Sequence, residues 1–512
     1  MTIRYTTFEN LYQDSVSLMQ ISARINKING VDEASVAMGT AANLARMADA
    51  GFGIDIIAKP NDLVIAVKGE AEACEEAIKV AFEALTAKPD TGNDSQQFSQ
   101  PLTSFALGLT QHPDANLALI SVPGEYATAE AMKALQLGLN VMMFSDNVSV
   151  EDERAIKQLA QQKELMVMGP DCGTAIINGI PLGFANVVRR GAIGVVAASG
   201  TGLQEATCRI HQLGEGISQA LGTGGHDLHQ EVGGISMLHG LCALADDDDT
   251  QVIVLISKPP AKSIAEKILK MASQINKPVV VHFLGASSSE LSLNGVYFAH
   301  SLAHSAEVAV AVLNHQDIPA VSTTPKDDTV LANLKTQLTP SQRYIRGVFA
   351  GGTFCFEAQI IASQYGLSAY SNTPVQGNSL LSDVWTSQQH TIVDLGDDAF
   401  TQGRPHPMID PTLRNQRILQ DAQDPSTAVI LFDVVLGYGA AEDPLTELCE
   451  VIAQVRRESL TPPMFIAHVC GTDLDPQSRN LSRDTLIAAG VLIADSNADA
   501  AHLTAQFISQ LC

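Results

Sequence analysis

Aromatic side chains and positive charge are both scarce in this chain. Phe, Trp and Tyr make up 5% of its 512 residues, with one tryptophan, Trp385. Ala, Val, Ile, Leu and Gly dominate instead, a mix suited to parallel sheets covered by helices on both faces. Lys and Arg number 31 against 56 Asp and Glu, a formal net charge of −25. A surface of that sign repels polyphosphate backbones and anionic lipid, which argues against nucleic acid and membranes as partners. An anionic small substrate needs local donors to overcome the same field.

Long hydrophobic runs are missing too. No uninterrupted apolar stretch approaches ~20 residues, and the opening MTIRYTTFENLYQDS has no apolar segment of signal-peptide length. The eight cysteines are scattered and form no C-x-x-C pair. A disulfide framework or Cys-rich zinc site is therefore not expected, no other metal site is expected, and a reducing cytoplasm is the expected location. There is no G-x-x-x-x-G-K-[ST] loop, no H-E-x-x-H and no G-x-S-x-G. The strand-end glycines form no proper G-x-G-x-x-G with an acidic ribose partner, which disfavours a nicotinamide dehydrogenase.

What is present falls into units, since a chain this long needs several cores at about one per ~150 residues. Residues 1–88 alternate short apolar runs with amphipathic stretches: helices over 15–27, 41–49 and 71–85, strands over 34–38 and 63–67. They predict a small α+β domain for assembly or regulation. The polar, turn-rich 89–112 reads as a linker, 113–190 as a Rossmann-like domain of strict β-α-β order, and 191–313 as a second parallel-sheet domain. Residues 314–342 read as another linker, and 343–512 as a third α/β domain. The last two domains open alike. GVVAASGTGLQEA (194–206) and GVFAGGTFCFEA (347–358) each give a strand, a small-residue turn and a helix containing Glu-Ala.

Those turns carry the clearest chemistry. Ser199, Gly200, Thr201 and Gly202, and again Gly351, Gly352 and Thr353, combine backbone amides at a helix start with hydroxyl donors, an arrangement that favours phosphate or carboxylate. Glu205 and Glu357 follow by one helical turn and are expected to orient a hydrogen-donating partner, or else to sit favourably on the helix dipole. Gly224, Gly225 and His226 end another strand, where open α/β sheets bind ligands; a simple loop histidine is the alternative. The segment 394–415 reads as a long loop dense in prolines and charge, which is expensive to order unless it lines a site. Its Arg404 and Arg414 have the fork geometry for a carboxylate or phosphate, with His406 between them, and Arg–Asp pairing within the loop is the bland reading.

With those residues in view, a resemblance becomes specific. MGPDCGT, AASGTGLQEA and GTGGHD resemble the succinyl-CoA synthetase α subunit; AGGTFCFEA, TIVDLGDDAF and FDVVLGYGAAEDP resemble the carboxy-terminal ligase domain of its β subunit. Joined with FSDNVSVEDE, LISKPP and GRPHPMIDPTLRN, they resemble the FdrA family over nearly the whole chain. The resemblance implies tandem domains of succinyl-CoA synthetase type behind a small N-terminal α+β domain: a Rossmann-like CoA-binding-type domain over 113–190 and flavodoxin-like first and second ligase domains over 191–313 and 343–512. It implies two helix N-termini facing a phosphohistidine steadied by glutamates matching Glu205 and Glu357. The comparable region LNGVYFAHSLAHSAEVA lacks the Gly-His-Ala-Gly loop, leaving His226, then His304, as phosphorylation candidates, and no ATP-grasp domain is evident. No firmly bound cofactor is implied. The expectation is a subunit working with other chains and in a homo-oligomer on carbamoyl phosphate or another acyl phosphate, as a carbamoyltransferase with an oxamate-like acceptor. The alternatives are an NDP-forming acyl-CoA synthetase subunit using CoA, and a non-catalytic assembly or ligand-sensing subunit.

Overall fold

In the computed structural model the described residues are 2–11, 13–53, 56–86, 102–286, 293–321, 338–401 and 404–511. Most of the linker expected over 314–342 and the first part of that over 89–112 lie outside them. The N-terminal unit runs β1 (Thr2–Phe8), α1 (Ser15–Asn26), β2 (Val31–Met38), α2 (Ala41–Asp49), β3 (Leu63–Gly69) and α3 (Ala71–Thr86). Its antiparallel sheet has the order β1-β3-β2. The central β3 is buried on both faces: Ile65 and Val67 pack with Leu18, Ile25 and Cys74, while Val64 and Ala66 meet Met47 and Phe52. The edge strand β1 carries no apolar signal, since Ile3 and Tyr5 stay exposed, and only its pairing with β3 reveals it.

The second unit comprises α4 (Phe105–Gln111), β4 (Leu117–Ile120), α5 (Gly124–Gln136), β5 (Asn140–Met143), α6 (Val150–Gln162) and β6 (Val167–Met168). Its three parallel strands lie in the order β4-β5-β6. Helix α4 falls where a linker was expected: Ser104 caps it, and Phe105 and Leu109 pack on the unit's core.

The third unit follows as β7 (Thr174–Ile177), β8 (Ile180–Gly183), β9 (Arg190–Ala198), α7 (Gly200–Gln212), β10 (Ile217–Gly222), α8 (Ile235–Asp246), β11 (Val252–Ser257), α9 (Lys262–Ala272), β12 (Val279–Phe283), β13 (Val296–Phe298) and α10 (Leu302–Leu313). Its sheet runs β13-β12-β11-β9-β10-β7-β8. The antiparallel hairpin β7–β8, which the sequence reading placed with the Rossmann-like unit, completes this sheet.

The fourth unit holds β14 (Tyr344–Phe349), α11 (Gly352–Gln364), β15 (Tyr370–Ser371), β16 (Ser379–Leu380), β17 (Thr391–Asp394), α12 (Asp398–Thr401), α13 (Thr412–Gln423), β18 (Thr427–Val435), α14 (Thr446–Glu458), β19 (Met464–Cys470), α15 (Arg479–Ala488), β20 (Leu492–Ala494) and α16 (Asn497–Ser509). All its pairs are parallel, in the order β16-β15-β17-β14-β18-β19-β20.

Units three and four share one core, which runs from Ile193, Val195 and Leu203 to Phe349, Phe354 and Phe507. Their strands also correspond. In the third unit Ala197 pairs with Ile256, which pairs with His282 of β12. In the fourth, Val348 pairs with Phe432, and the next residue, Asp433, pairs with His468 of β19. His282 and His468 thus hold equivalent positions, as do Glu205 and Glu357.

Candidate functional site

The two matched turns meet. Ser199 caps α7, its Oγ accepting from the Gly202 amide at 3.0 Å, and that Oγ lies 2.6 Å from Thr353 Oγ1 in the first turn of α11. Two helix N-termini thus converge where strands of both sheets end. Gly200 is exposed and Gly352 half-buried, so this junction is open to solvent. First-turn amides have no acceptor in their own helix and remain for water or a ligand. Glycine is required at 351, where a Cβ would come within 2.7 Å of the Phe354 ring and 3.0 Å of Thr201 Cγ2.

The α11 side carries carboxylates. Asp433 accepts from the Ala350 and Gly351 amides at 2.7 Å each. Asp394 stands against Gly352, in space a side chain there would take. Burial pushes the Asp394 carboxyl up to about 6, and Lys258 pulls it the other way. Lys258, exposed just after β11, is also within electrostatic reach of Asp171. The sequence reading missed Lys258 as a site residue, although LISKPP was in view; no spacing rule marks one lysine after a strand.

His406 belongs to this junction. A Cβ on Gly396 would lie 2.6 Å from its Nε2 and 3.2 Å from Asp394 Oδ1, so the ring sits close to that carboxylate. Its centroid is 6.1 Å from that of Phe184. The Met408 amide donates to Nδ1 at 3.2 Å, which leaves the proton of the neutral ring on Nε2. Burial lowers the pKa to about 4. His406 is therefore a neutral donor at neutral pH, neither a base nor a free nucleophile at Nε2.

The arginines do not form the expected fork. Residues 394–415 are not one loop, because α12 and α13 pin the segment. Arg414, in α13 and 2% exposed, gives its N–H groups to the carbonyls of Asp433 and Pro444 and to Asn415 Oδ1 at 2.8–3.3 Å. Arg404 lies 5.4 Å from the Trp385 ring and 4.0 Å from Glu33 of the N-terminal unit. One is enclosed and the other turned to a neighbouring unit, which corrects both assignments.

The Gly224–Gly225–His226 loop serves a seam between units. Buried Lys157 of α6 reaches Glu153 at 2.6 Å and both Asp227 and the Thr223 carbonyl at 2.9 Å. Asp227 also caps α8 through the Ser236 and Met237 amides. His226 Nδ1 lies 3.6 Å from Glu153, and that carboxylate is the main cause raising its pKa. Gly224, at φ +84°, packs on the Pro170 carbonyl, leaving no room for a side chain. His304 is committed as well: the His300 amide donates to Nδ1 at 3.2 Å, and Nε2 lies 3.0 Å from the Pro319 carbonyl.

Glu205 and Glu357 lie beneath the turns, 3% and 4% exposed, rather than in the crevice. Glu205 does hold a histidine, though not one foreseen: its Oε2 is 2.7 Å from Nε2 of His468, across the interface between units. Burial works against both charges, yet Glu205 raises the His468 pKa to about 9, and His468 keeps Glu205 below the ordinary carboxylate value. Glu357 instead accepts from the Leu302 amide and Asn497 Nδ2, each at 2.8 Å. It lines a cavity of about 320 Å³ together with His282, Leu284, His300 and Ile360.

The CoA-ligase family model matches residues 348–507, the CoA binding domain model 189–285, and the model described as AllF, heavy metal-associated domain, 1–101. The uncharacterized protein YahF of Escherichia coli (strain K12) is 42% identical over 514 residues, covering 99% of both chains. Succinate–CoA ligase [ADP-forming] subunit alpha-2, mitochondrial, of Trichomonas vaginalis is 31% identical over 35% of this chain and 60% of its own. The malate–CoA ligase subunit alpha of Methylorubrum extorquens is 28% identical over 34% of this chain and 60% of its own. This chain thus spans about 60% of those ligase subunits. A dinucleotide-forming acetyl-coenzyme A synthetase 1 of Ca. Korarchaeum cryptofilum is a distant likeness, 13% identical with a TM-score of 0.31 over 77% of this chain and 84% of its own.

The heavy-metal description does not fit the residues present. Residues 1–101 contain no histidine and one cysteine, Cys74, whose Sγ is buried against the carbonyls of Thr2 and Val67 at 3.7 and 3.8 Å. A soft metal needs at least a thiolate pair or imidazoles. Among the described residues no helix is long and apolar enough to cross a membrane.

Proposed function

Because the chain belongs to the FdrA family of succinyl-CoA-synthetase-like proteins, we propose that it is a CoA-ligase-type subunit binding an acyl phosphate where α7 and α11 meet. The observation that carries this is the 2.6 Å contact between Ser199 and Thr353, which brings two helix N-termini to one point. Amides and dipoles aimed there stabilise a phosphate whose charge grows as the acyl group leaves. The Thr201 hydroxyl and the one member of the Ser199–Thr353 pair that does not give its proton to the other add donors, Lys258 supplies a cation, and Nε2–H of His406 donates to the acyl oxygen. Asp394 and Asp433 brace α11 and oppose loose anion binding.

The better supported reading of the acceptor is CoA. The CoA-ligase and CoA binding domain models favour an NDP-forming acyl-CoA synthetase subunit whose nucleotide domain lies on a partner chain. The second reading, carbamoyl transfer from carbamoyl phosphate to an oxamate-like acceptor, draws on His406. As a neutral donor with Nδ1 engaged, it suits direct acyl transfer better than a phosphohistidine relay.

Calorimetry at low phosphate with carbamoyl phosphate, acetyl phosphate and CoA tests both. Acyl phosphate binding should weaken about tenfold when Thr201 and Thr353 are both changed to Val, the order expected for lost donors to a charged group. CoA binding supports the synthetase; carbamoyl phosphate binding without CoA supports the transferase. Acyl phosphate affinity indifferent to both substitutions would sink the reading as a whole.

A further inference from the structure

Beneath the α7 turn, chemistry-bearing side chains converge from two units. Glu205 and Cys208 are one turn apart on α7; His468 and Cys470 share one face of β19, and all four are buried. The ligand atoms of Glu205, His468 and Cys470 lie within 4.8 Å of one another, the one such group of three among the described residues. Cys208 lies next to this group, near enough for its thiol and that of Cys470 to shift each other's ionisation, and adds a second sulfur beside the three. With Nε2 on Glu205, His468 keeps Nδ1 buried with no hydrogen bond of ordinary geometry, in a side chain 1% exposed and beside the Cys470 thiol. A buried ring nitrogen with nothing to bind is costly.

The fold itself does not require this set. At the equivalent corner Glu357 and His282 recur, but Ile360 and Leu284 stand where Cys208 and Cys470 do, by the same strand register and helix offset. Aliphatic side chains therefore satisfy the packing, and the two thiols at the first corner are additional chemistry.

We infer that Cys208, His468 and Cys470, with Glu205 orienting the imidazole, form a site for a thiolate-binding d10 divalent ion, of which Zn2+ is the representative. Two thiols and an imidazole on a buried seam are the donor set such an ion prefers, and an imidazole held by a carboxylate through its second nitrogen recurs at zinc centres. Binding releases three protons, one from each thiol and the Nδ1 proton of the imidazolium that Glu205 holds, and leaves the sulfurs as thiolates carrying the charge that balances the ion. The ion staples the third unit to the fourth and is independent of the acyl phosphate reading.

The test uses the full chain, stripped with chelator and titrated with Co2+ and then Zn2+. Thiolate-to-cobalt charge-transfer and tetrahedral d–d bands should appear, saturate at about one ion per chain, and vanish on adding Zn2+. Cys208→Ser and Cys470→Ser should each weaken Co2+ binding at least tenfold, while Cys355→Ser, a buried thiol elsewhere, leaves it unchanged. A wild-type chain of native circular dichroism that shows no charge-transfer band overturns the inference, with no variant needed. A Cys208–Cys470 disulfide found by mass spectrometry in protein from reducing cytoplasm overturns it equally.

Discussion

Two corners of this molecule are built on the same plan and finished differently. At one, Glu205 and His468 close on each other at 2.7 Å beside the Cys470 thiol. At the other, Glu357 turns to Asn497 and the Leu302 amide, His282 gives Nδ1 to the Ala299 carbonyl at 3.1 Å, and a cavity of about 320 Å³ stays open. The same pair of residue types is thus a charged clamp in one setting and two neutral groups in the other. Burial pushes Glu357 up to about 7 and His282 down to about 4, because neither has the other's charge to offset desolvation. Proximity, not residue identity, decides which group is ionised.

The largest expected effect separates the corners directly. In chelator, His468→Ala strands the Glu205 charge in the interior and should cost about 3–5 kcal/mol in urea unfolding. His282→Ala removes one neutral hydrogen bond beside an existing cavity and should cost about 1–2 kcal/mol. Equal losses would dissolve the distinction.

Acidity sharpens it. The Glu357 carboxyl is raised from 4.5 to about 7, so the native state holds its proton where the unfolded chain has lost it. Stability from this group is full below the lower value and declines as pH rises through the window to the higher, by something on the order of 3 kcal/mol. Glu357→Gln, which carries no titrating proton, should flatten that slope. An unchanged slope would mean Glu357 titrates normally.

The two helix termini differ as the corners do, since carboxylates crowd α11 and not α7. Asp394, raised to about 6, loses its charge as pH falls through that value, so phosphate should bind more tightly below it. Asp394→Asn should tighten binding at pH 7 by up to about tenfold, roughly 1.4 kcal/mol, and remove the pH dependence, as calorimetry can read. The smallest effect is expected at Arg404, exposed and 4.0 Å from Glu33: Arg404→Ala should change stability by less than about 1 kcal/mol.

Much of the architecture was legible in advance. The matched openings of units three and four announce their kinship, because a strand, a small-residue turn and a Glu-containing helix are local features with local signals. Helices α1, α2 and α3 likewise follow from apolar spacing and caps such as Thr40. The failures share a cause. Strand β1 is an exposed edge without an apolar pattern, α4 is short, and β7–β8 crosses to a sheet its neighbours in sequence do not belong to. Arg414 was read as a ligand because a loop was expected, and one helical turn enclosed it.

By itself the sequence determined the α/β class, the tandem units and the two anion-favouring turns, since periodicity and turn chemistry act over a few residues. Only the tertiary structure decided that Ser199 meets Thr353, that His468 belongs to Glu205, and that Cys208 lies against Cys470. Those partners are 154, 263 and 262 positions apart (470 − 208 for the last). No local rule spans such separations. They are set by how two sheets pack across one shared core, and the charges and thiols at that interface take their properties from the burial it imposes.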